Sequence, residues 1–370
     1  MASQKTLDNA DQRGWLILVG LLMICLQAVG SNALGQDQNT AEKLTTQSKL
    51  QEFAELKFLM ATPWTFRFYA SDPTAAKQVI HEITQRVKDL THVMSDYEPD
   101  SEIRKLYESA KPEQPVQVSQ DLFKVLNFSE QLSQQTGGAF DVTLGPLIDL
   151  WREAKLRHQL PTRQQIDDAK ARSGFRFLKL HAESQQISLL KRGMHVDLGG
   201  IGKGFAADEV AAVFQKHGID SFLIDAGGTI CVGSPPPGKL GWKIKTQFGP
   251  AHKGLPETIQ LSHAAVSTSG DQQRFVEIQG KRYSHIVSPD TGLGTTQSRM
   301  VMVIGPSAAQ TDAYATALCL LEAEECVRLM KQQPRYQAYQ LLKDSHQPNA
   351  RQTVRRFNVS QQAASSAPCE

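Results

Sequence analysis

The segment Asp197-Leu198-Gly199-Gly200-Ile201-Gly202-Lys203-Gly204-Phe205-Ala206-Ala207-Asp208 constrains the fold more than any other part of the chain. Four glycines in six positions strip away the Cβ atoms that would keep this backbone from approaching a neighbour or a ligand. Between a strand-like run and a helix, the backbone N–H groups can face an anion, and the helix N-terminus and Lys203 add positive potential. Lys203 is followed by Gly204 rather than Ser or Thr, so this is not a P-loop. Gly202-x-Gly204-x-x-Ala207, with Asp225 at a strand end about 20 residues on, matches a degenerate dinucleotide fingerprint. A tight strand-to-helix turn that binds nothing is the plain alternative.

The texture around this segment decides what it can belong to. Trp64, Phe66, Phe68 and Ala70 alternate with Thr65, Arg67 and Tyr69, which predicts a half-buried strand. Ala76, Ile80, Ile83, Val87, Leu90 and Met94 recur at steps of four and three, which predicts an amphipathic helix. A second helix is expected over Gln120 to Gln135, stopping at Gly137-Gly138, and a third, capped by Thr162, ends near Gly174. Short β segments then follow at Phe177–Leu180, Ile187–Leu190, Ser221–Ile224, Trp242–Thr246, Phe275–Ile278 and Met300–Ile304. Helices over Lys203–Lys216 and Ser307–Leu321 interrupt and follow them. Early helices and later hairpins predict an α+β fold of mixed or antiparallel sheets rather than a repeating βα wheel. An NAD(P)-dependent oxidoreductase would need repeated βα units after Gly202, and the chain turns to short β segments instead.

The 370 residues allow one large domain or two intimate ones, and a net charge of +2 gives no electrostatic case for nucleic acid or an anionic membrane surface. Residues 14–29 form an apolar run broken only by Gln27, preceded by Arg13 and followed by Ser31-Asn32-Ala33. The run is shorter than the roughly 20 residues that span a bilayer, so residues 1–33 read as a signal peptide or an uncleaved anchor. Ile24 before Cys25 argues against a lipoprotein box. Residues 34–52 read as a polar leader, 53–343 as the folded body and 344–370 as a flexible tail. Cys319 and Cys326 are expected to share a helix face too far apart for a bridge. Together with Cys231 they read as ordinary buried residues, with Cys369 in the tail.

Four further segments carry polar groups in suggestive places. Asp225-Ala226-Gly227-Gly228 follows a strand and reads first as a turn. Gly137 to Leu147 reads as a helix C-cap followed by an extended stretch, with Asp141 and Thr143 pointing the same way. His285 stands at a strand end before a Pro289-Asp290-x-Gly292 turn, a position suited to acid–base work. Asp312 and Thr316 are i and i+4 on the last long helix, so their oxygens share a face. A carboxylate with a hydroxyl is a hard-oxygen pair suited to Mg2+, which completes its shell with phosphate oxygens and water. Dipole placement of Asp312, with Thr316 bonding back to the turn, is the plain alternative.

These segments, in this order, resemble the ApbE family of flavin transferases, from about Lys57 to Leu342. The likeness rests on Met60-Ala61-Thr62, Met94-Ser95-x-Tyr97 through Ser101-Glu102-Ile103, Gly138 to Thr143, and Asp197 to Gly204. It continues through Asp225 to Gly228, Ser267 to Asp271, His285-Ile286 to Gly292, and Asp312 to Thr316. Ala61 departs from the family, which usually has glycine there. The resemblance implies a two-lobed body with its active site in the cleft between the lobes. It implies that FAD is the substrate, lined by Met60, Ala139, Phe140, Asp141, Asp197, Lys203 and Ile286. It also implies that Asp312, Thr316 and the Gly200 carbonyl hold Mg2+ against the pyrophosphate.

The implied reaction is attack by a threonine hydroxyl of a partner flavoprotein on the FMN-side phosphorus, with AMP leaving. Lys203 would neutralise charge and His285 would take the hydroxyl proton, with a metal-bound water or Asp271 as alternatives for the base. The acceptor is expected to be a membrane-associated redox subunit on the periplasmic or other non-cytoplasmic side, to which this chain is exported. An FAD pyrophosphatase giving FMN and AMP, or a non-catalytic exported flavin-binding protein, would use nearly the same residues.

Overall fold

Two nine-residue strands, β1 (Gln51–Leu59) and β2 (Thr62–Ala70), pair antiparallel and place Trp64, Phe66 and Phe68, all fully buried, on one face. That face is covered by α1 (Pro73–Met94), whose buried stripe is Ala76, Val79, Ile83, Val87, Leu90 and Met94. Asp72 starts α1 by accepting the Thr74 N–H at 2.9 Å, and Pro73 occupies the first turn. The computed structural model describes residues 50–249, 252, 254–271, 275–343 and 352–359. The apolar run at 14–29, the small residues after it, most of the polar leader, Cys25 and Cys369 lie outside the described residues.

The chain continues through α2 (Glu102–Ser109), β3 (Val116–Gln117), α3 (Gln120–Gln135), α4 (Gly145–Arg157), α5 (Arg163–Ala171), β4 (Leu178–His181) and β5 (Gln186–Leu189). Next come α6 (Gly202–Lys216), β6 (Phe222–Asp225), β7 (Thr229–Val232), β8 (Trp242–Lys245), β9 (Thr258–Leu261), β10 (Ala264–Gly270), β11 (Phe275–Ile278) and β12 (Lys281–Ser284). It closes with β13 (Ser298–Gly305), α7 (Ala308–Leu320), α8 (Ala323–Gln332), β14 (Gln337–Lys343) and β15 (Gln352–Phe357). Eight strands form one sheet in the order β1-β2-β6-β7-β10-β13-β14-β15, and every neighbouring pair is antiparallel. The fold is α+β, and among the described residues no parallel βαβ unit makes Gly202-x-Gly204-x-x-Ala207 a dinucleotide fingerprint.

The sheet divides the interior. On one face α1, α6 and α7 share the main core with Phe66, Phe68, Ile224 and Val301. On the other, the β8–β9 hairpin covers Val232, Val266, Met302 and Leu341 with Trp242 and Ile244. A separate small core joins α4 and α5 to the β11–β12 hairpin through Leu147, Trp151, Ile166, Val276, Ile278 and Tyr283. The antiparallel zigzag collects the C-terminal ends of β1, β6 and β10 at one end of the large sheet.

Four expectations are corrected. The stretch after Gly138 is not extended: Asp141 caps a 3-10 turn over Val142–Leu144, and Pro146 lies in the first turn of α4. Cys319 and Cys326 sit on different helices, because Leu321 ends α7 and a Glu322–Glu325 capping box restarts the chain as α8. Residues 352–357 form β15, with Val354 opposite Leu341 and Phe357 opposite Ala338, where a flexible tail was expected. The helices α2, α4 and α8 and the strands β1, β3, β7, β9, β10 and β14 were not foreseen. Cys231, Cys319 and Cys326 are free and buried, and burial pushes each thiol up, so they are packing residues.

The β1–β2 turn consists of Met60 (φ 47°) and Ala61 (φ 56°), both in the left-handed region that suits glycine. Ala61 is exposed, so its methyl packs on nothing that glycine would lose. Ala61→Gly should therefore stabilise the protein by about 1 kcal/mol. Urea unfolding should show a higher midpoint at unchanged slope, and an equal or lower midpoint would contradict the turn assignment.

Candidate active site

The site is built where α6 seats against the start of α7. A Cβ on Gly204 would fall 2.3 Å from the Ala308 carbonyl oxygen and 2.8 Å from the Ala309 Cα, so only glycine permits this approach. One turn along α6, Asp208 accepts the N–H groups of Ala308 (2.8 Å) and Ala309 (3.0 Å) and the Ser307 hydroxyl (2.8 Å). Gly204 and Asp208 thus fix both the distance and the register of α7.

Seated in this way, α7 turns Asp312 and Thr316 toward the glycine loop. The Gly204 N–H donates to Asp312 Oδ2 at 3.2 Å. A Cβ on Gly200 would stand 3.7 Å from Thr316 Oγ1 and 3.3 Å from Phe140 Cε2, so Gly200, Phe140 and Thr316 are neighbours. The sheet supplies hydroxyls from below. Ser267 Oγ lies 3.1 Å from Thr229 Oγ1 and 3.0 Å from Thr311 Oγ1, and Ser269 Oγ lies 3.4 Å from Thr316 Oγ1. The Thr229 hydroxyl also lies close enough to the Asp312 carboxylate to favour its ionised form.

Four carboxyls in this region, Asp141, Asp197, Asp208 and Asp312, are pushed above the ordinary range by burial, each opposed by its donors. Asp141 accepts the Thr143 N–H (2.8 Å), the Thr143 hydroxyl (2.6 Å) and the Phe175 N–H (2.8 Å). Asp197 takes the Arg152 guanidinium and the Gly199 N–H, and Asp208 holds its three α7 donors. Asp312 is 7% exposed and has the poorest set: one long N–H bond, the Thr229 hydroxyl and the field of Lys203. A buried carboxylate this weakly held, one helix turn from the Thr316 hydroxyl and close to Gly200, is a hard-oxygen setting that fits a divalent cation. Among the described residues no three His, Cys, Asp or Glu side chains form a metal cluster. A cation here would therefore take the rest of its shell from substrate oxygens and water.

The sequence-predicted residues divide into two groups. Lys203, Gly200, Phe140, Asp312 and Thr316 come together at the α6–α7 seat. Met60 belongs to the β1–β2 turn at the same end of the sheet. Its neighbour Thr62 packs on Gly227, where an added Cβ would meet Thr62 Oγ1 at 2.3 Å, and Gly227 leads to Thr229. Asp141 and Asp197 each hold protein donors with their carboxylates, Asp141 tying the 3-10 turn to Phe175 and Asp197 tying the glycine loop to α4. Ile286 is a core residue, and half-buried His285 follows β12 on the hairpin that packs over Trp151 of α4. Ala139 and Asp141 line a cavity of about 750 Å³ with Gly138, Phe175, Arg176, Pro289, Leu320 and Arg328, between α3, α5, α7 and α8. The sequence reading missed Thr229, Ser267, Ser269, Asp208 and Arg152 as site-building residues. The i, i+4 spacing of Gly204 and Asp208 was its one legible signal.

The family model described as the ApbE family matches residues 60–340. The FAD:protein FMN transferase of Escherichia coli (strain K12) is 28% identical over 281 residues, covering 74% of this chain and 80% of that protein. The FAD:protein FMN transferase of Treponema pallidum (strain Nichols) is 29% identical over 304 residues, covering 78% and 83%. A solved structure of a variant of the flavin transferase ApbE from Vibrio cholerae superposes with a TM-score of 0.73 at 25% identity, over 83% of this chain and 97% of that one. The apo Pseudomonas stutzeri flavinyl transferase ApbE gives a TM-score of 0.75 at 22% identity, over 86% and 98%, which bears on the fold alone.

A carboxyl whose folded-state pKa is raised holds its proton more tightly folded than unfolded. The resulting burden on stability is absent below about pH 3.9 and grows as pH rises through the raised folded value. Asp312→Asn should therefore raise the melting temperature of the metal-free protein at pH 7 by a few degrees, on the order of 1 kcal/mol. The gain should shrink as the pH is lowered toward 5. Calorimetry showing a loss at pH 7 would mean that Asp312 is already well compensated by protein donors.

Proposed function

We infer that this chain, which belongs to the ApbE family, is an exported flavin transferase that moves FMN from FAD onto a threonine hydroxyl of a separate flavoprotein and releases AMP. The observation that carries this reading is the meeting of Gly200 and Gly204 with Thr316 and Asp312. The glycine loop with Lys203 and a hard-oxygen helix face converge there on one point, and a cavity of dinucleotide size is lined by Ala139 and Asp141, the residues that flank Phe140. The curated relatives named FAD:protein FMN transferase supply the substrate class.

In the proposed reaction the threonine oxygen forms a bond to the FMN-side phosphorus. The pyrophosphate P–O bond breaks, AMP carries away the electron pair, and the hydroxyl proton must be removed. Mg2+, held by the Asp312 and Thr316 side chains and the Gly200 carbonyl, would supply charge neutralisation at the pyrophosphate. Lys203, in the first turn of α6, faces the same oxygens and stabilises the charge that develops on the leaving phosphate. His285 is the group assigned to the hydroxyl proton. Phe140 packs against Gly200 of the glycine loop. The apolar segment at 14–29 supports export, and a membrane redox subunit on the same side is the acceptor class that fits.

The test is to mix the purified protein with FAD, Mg2+ and an acceptor domain carrying the target threonine, and to record intact mass. A Mg2+-dependent gain equal to FMN minus water is expected. Asp312→Ala should lower the rate by at least about 100-fold, as expected for loss of a metal ligand. Free FMN and AMP without a mass gain would make the protein an FAD pyrophosphatase. FAD that stays bound and intact would make it a flavin carrier.

A further inference from the structure

Asp197 opens the glycine loop, and both of its oxygens hold protein donors. Oδ1 accepts the Gly199 N–H at 2.8 Å, and Oδ2 accepts the Arg152 guanidinium. Its backbone N–H donates to the Val142 carbonyl at 2.8 Å. Arg152 in turn donates from Nη1 to Asp96 Oδ2 (2.6 Å) and to Asp149 Oδ1 (3.0 Å), and its guanidinium lies 4.9 Å from the centre of the Tyr97 ring. Tyr107 completes the array by donating to Asp96 Oδ1 at 2.9 Å, and His195 Nε2 lies 2.9 Å from Asp149 Oδ2. One guanidinium therefore joins three carboxylates from three chain segments: the loop after α1, helix α4 and the start of the glycine loop.

We propose that Arg152 is a positioning residue of the flavin-transfer site, setting the glycine loop through Asp197 so that Gly200 and Lys203 meet the pyrophosphate in register. The inference rests on the flavin-transfer reading above and adds to it a residue that touches no substrate. The geometry requires arginine. A planar fork can serve several carboxylates in fixed directions, whereas a lysine ammonium is a point charge without that shape. Without the guanidinium, Asp96, Asp149 and Asp197 stand together as like charges, and the segments that carry them separate. The displaced group is Asp197, which lies three residues before Gly200 and six before Lys203. FAD binding draws on the whole cavity, but the reactive step depends on the placement of the loop at the pyrophosphate. The effect therefore falls on turnover more than on affinity.

The experiment compares the full-length wild type with Arg152→Met, Arg152→Lys and the double variant Arg152→Met with Asp96→Asn, well below their melting temperatures. FAD affinity is read from flavin fluorescence without acceptor. Turnover is read as FAD consumed, with and without an acceptor domain. Arg152→Met is expected to lower kcat at least 30-fold while changing the dissociation constant of FAD less than threefold, with Arg152→Lys in between. The double variant, relieved of one like charge, is expected to regain thermal stability without regaining kcat. A kcat within threefold of wild type in folded Arg152→Met overturns the proposal. So does a kcat that returns with stability in the double variant, because Arg152 would then be merely structural. Wild type that consumes FAD without labelling the acceptor overturns the transfer reading and still tests Arg152, and wild type that consumes none overturns both.

Discussion

The contact between α6 and the first turn of α7 is the interaction on which the rest depends. Gly204 allows the two backbones to touch, and Asp208, one turn later, caps α7 through three donors. A methyl group at 204 would push α7 outward and carry Asp312 and Thr316 away from Gly200. Two of the most informative residues of the glycine segment therefore serve helix packing. They create an anion site by placing an oxygen-bearing helix face opposite the loop rather than by touching a phosphate. The likeness of this segment to a dinucleotide fingerprint is a coincidence of spacing, and the antiparallel sheet beneath it excludes that fold.

The large sheet has a second role besides carrying the core. Its alternation sends Val266 to the β8–β9 side and Ser267 and Ser269 to the α7 side, so one strand serves an apolar layer and a polar one. Thr229 and Ser267 pair across β7 and β10 and meet Thr311 from the helix, three hydroxyls buried beside one carboxylate. Such a network is tolerable in a core because each hydroxyl has a partner, and it fixes the helix on the sheet in one register.

Much of this was legible in the sequence where the signal was local. The 3.6-residue period of α1 and the glycine stop of α3 depend on residues within a few turns, and the observed elements coincide with those expected. So does the Thr162 cap, which the structure shows as a full capping box with Gln165. The i, i+4 pairing of Asp312 and Thr316 was equally readable. What was not readable depends on partners far along the chain. Arg152 lies 56 residues from Asp96 and 45 from Asp197, and nothing in its own helix marks it as a bridge. β15 was missed because Arg355 and Arg356 break the apolar alternation. The Arg355 guanidinium reaches Gln340 across the strand pair at 3.3 Å, and that of Arg356 reaches the Gly254 carbonyl. Asp141 and Asp197 were assigned to the ligand through the family resemblance, and the internal donors they also hold appear only in three dimensions.

The four buried carboxyls divide the site by chemistry. Burial raises each of them, so each must be held ionised by donors or relieved by a cation. Asp141 ties the 3-10 turn to the loop at Phe175, Asp197 ties the glycine loop to α4, and Asp208 ties α6 to α7. All three use protein donors and so make the frame rigid without any bound group. Asp312 stands inside that frame with only one long backbone bond, a hydroxyl and the field of Lys203. A protein selected for stability alone would place a neutral amide or an apolar side chain there. Retaining a poorly satisfied carboxylate at the point where a glycine loop, a lysine and a threonine converge makes sense if positive charge arrives with the substrate. The frame is then stable before binding, and of its four carboxyls the least satisfied is the one on which the proposed reaction calls.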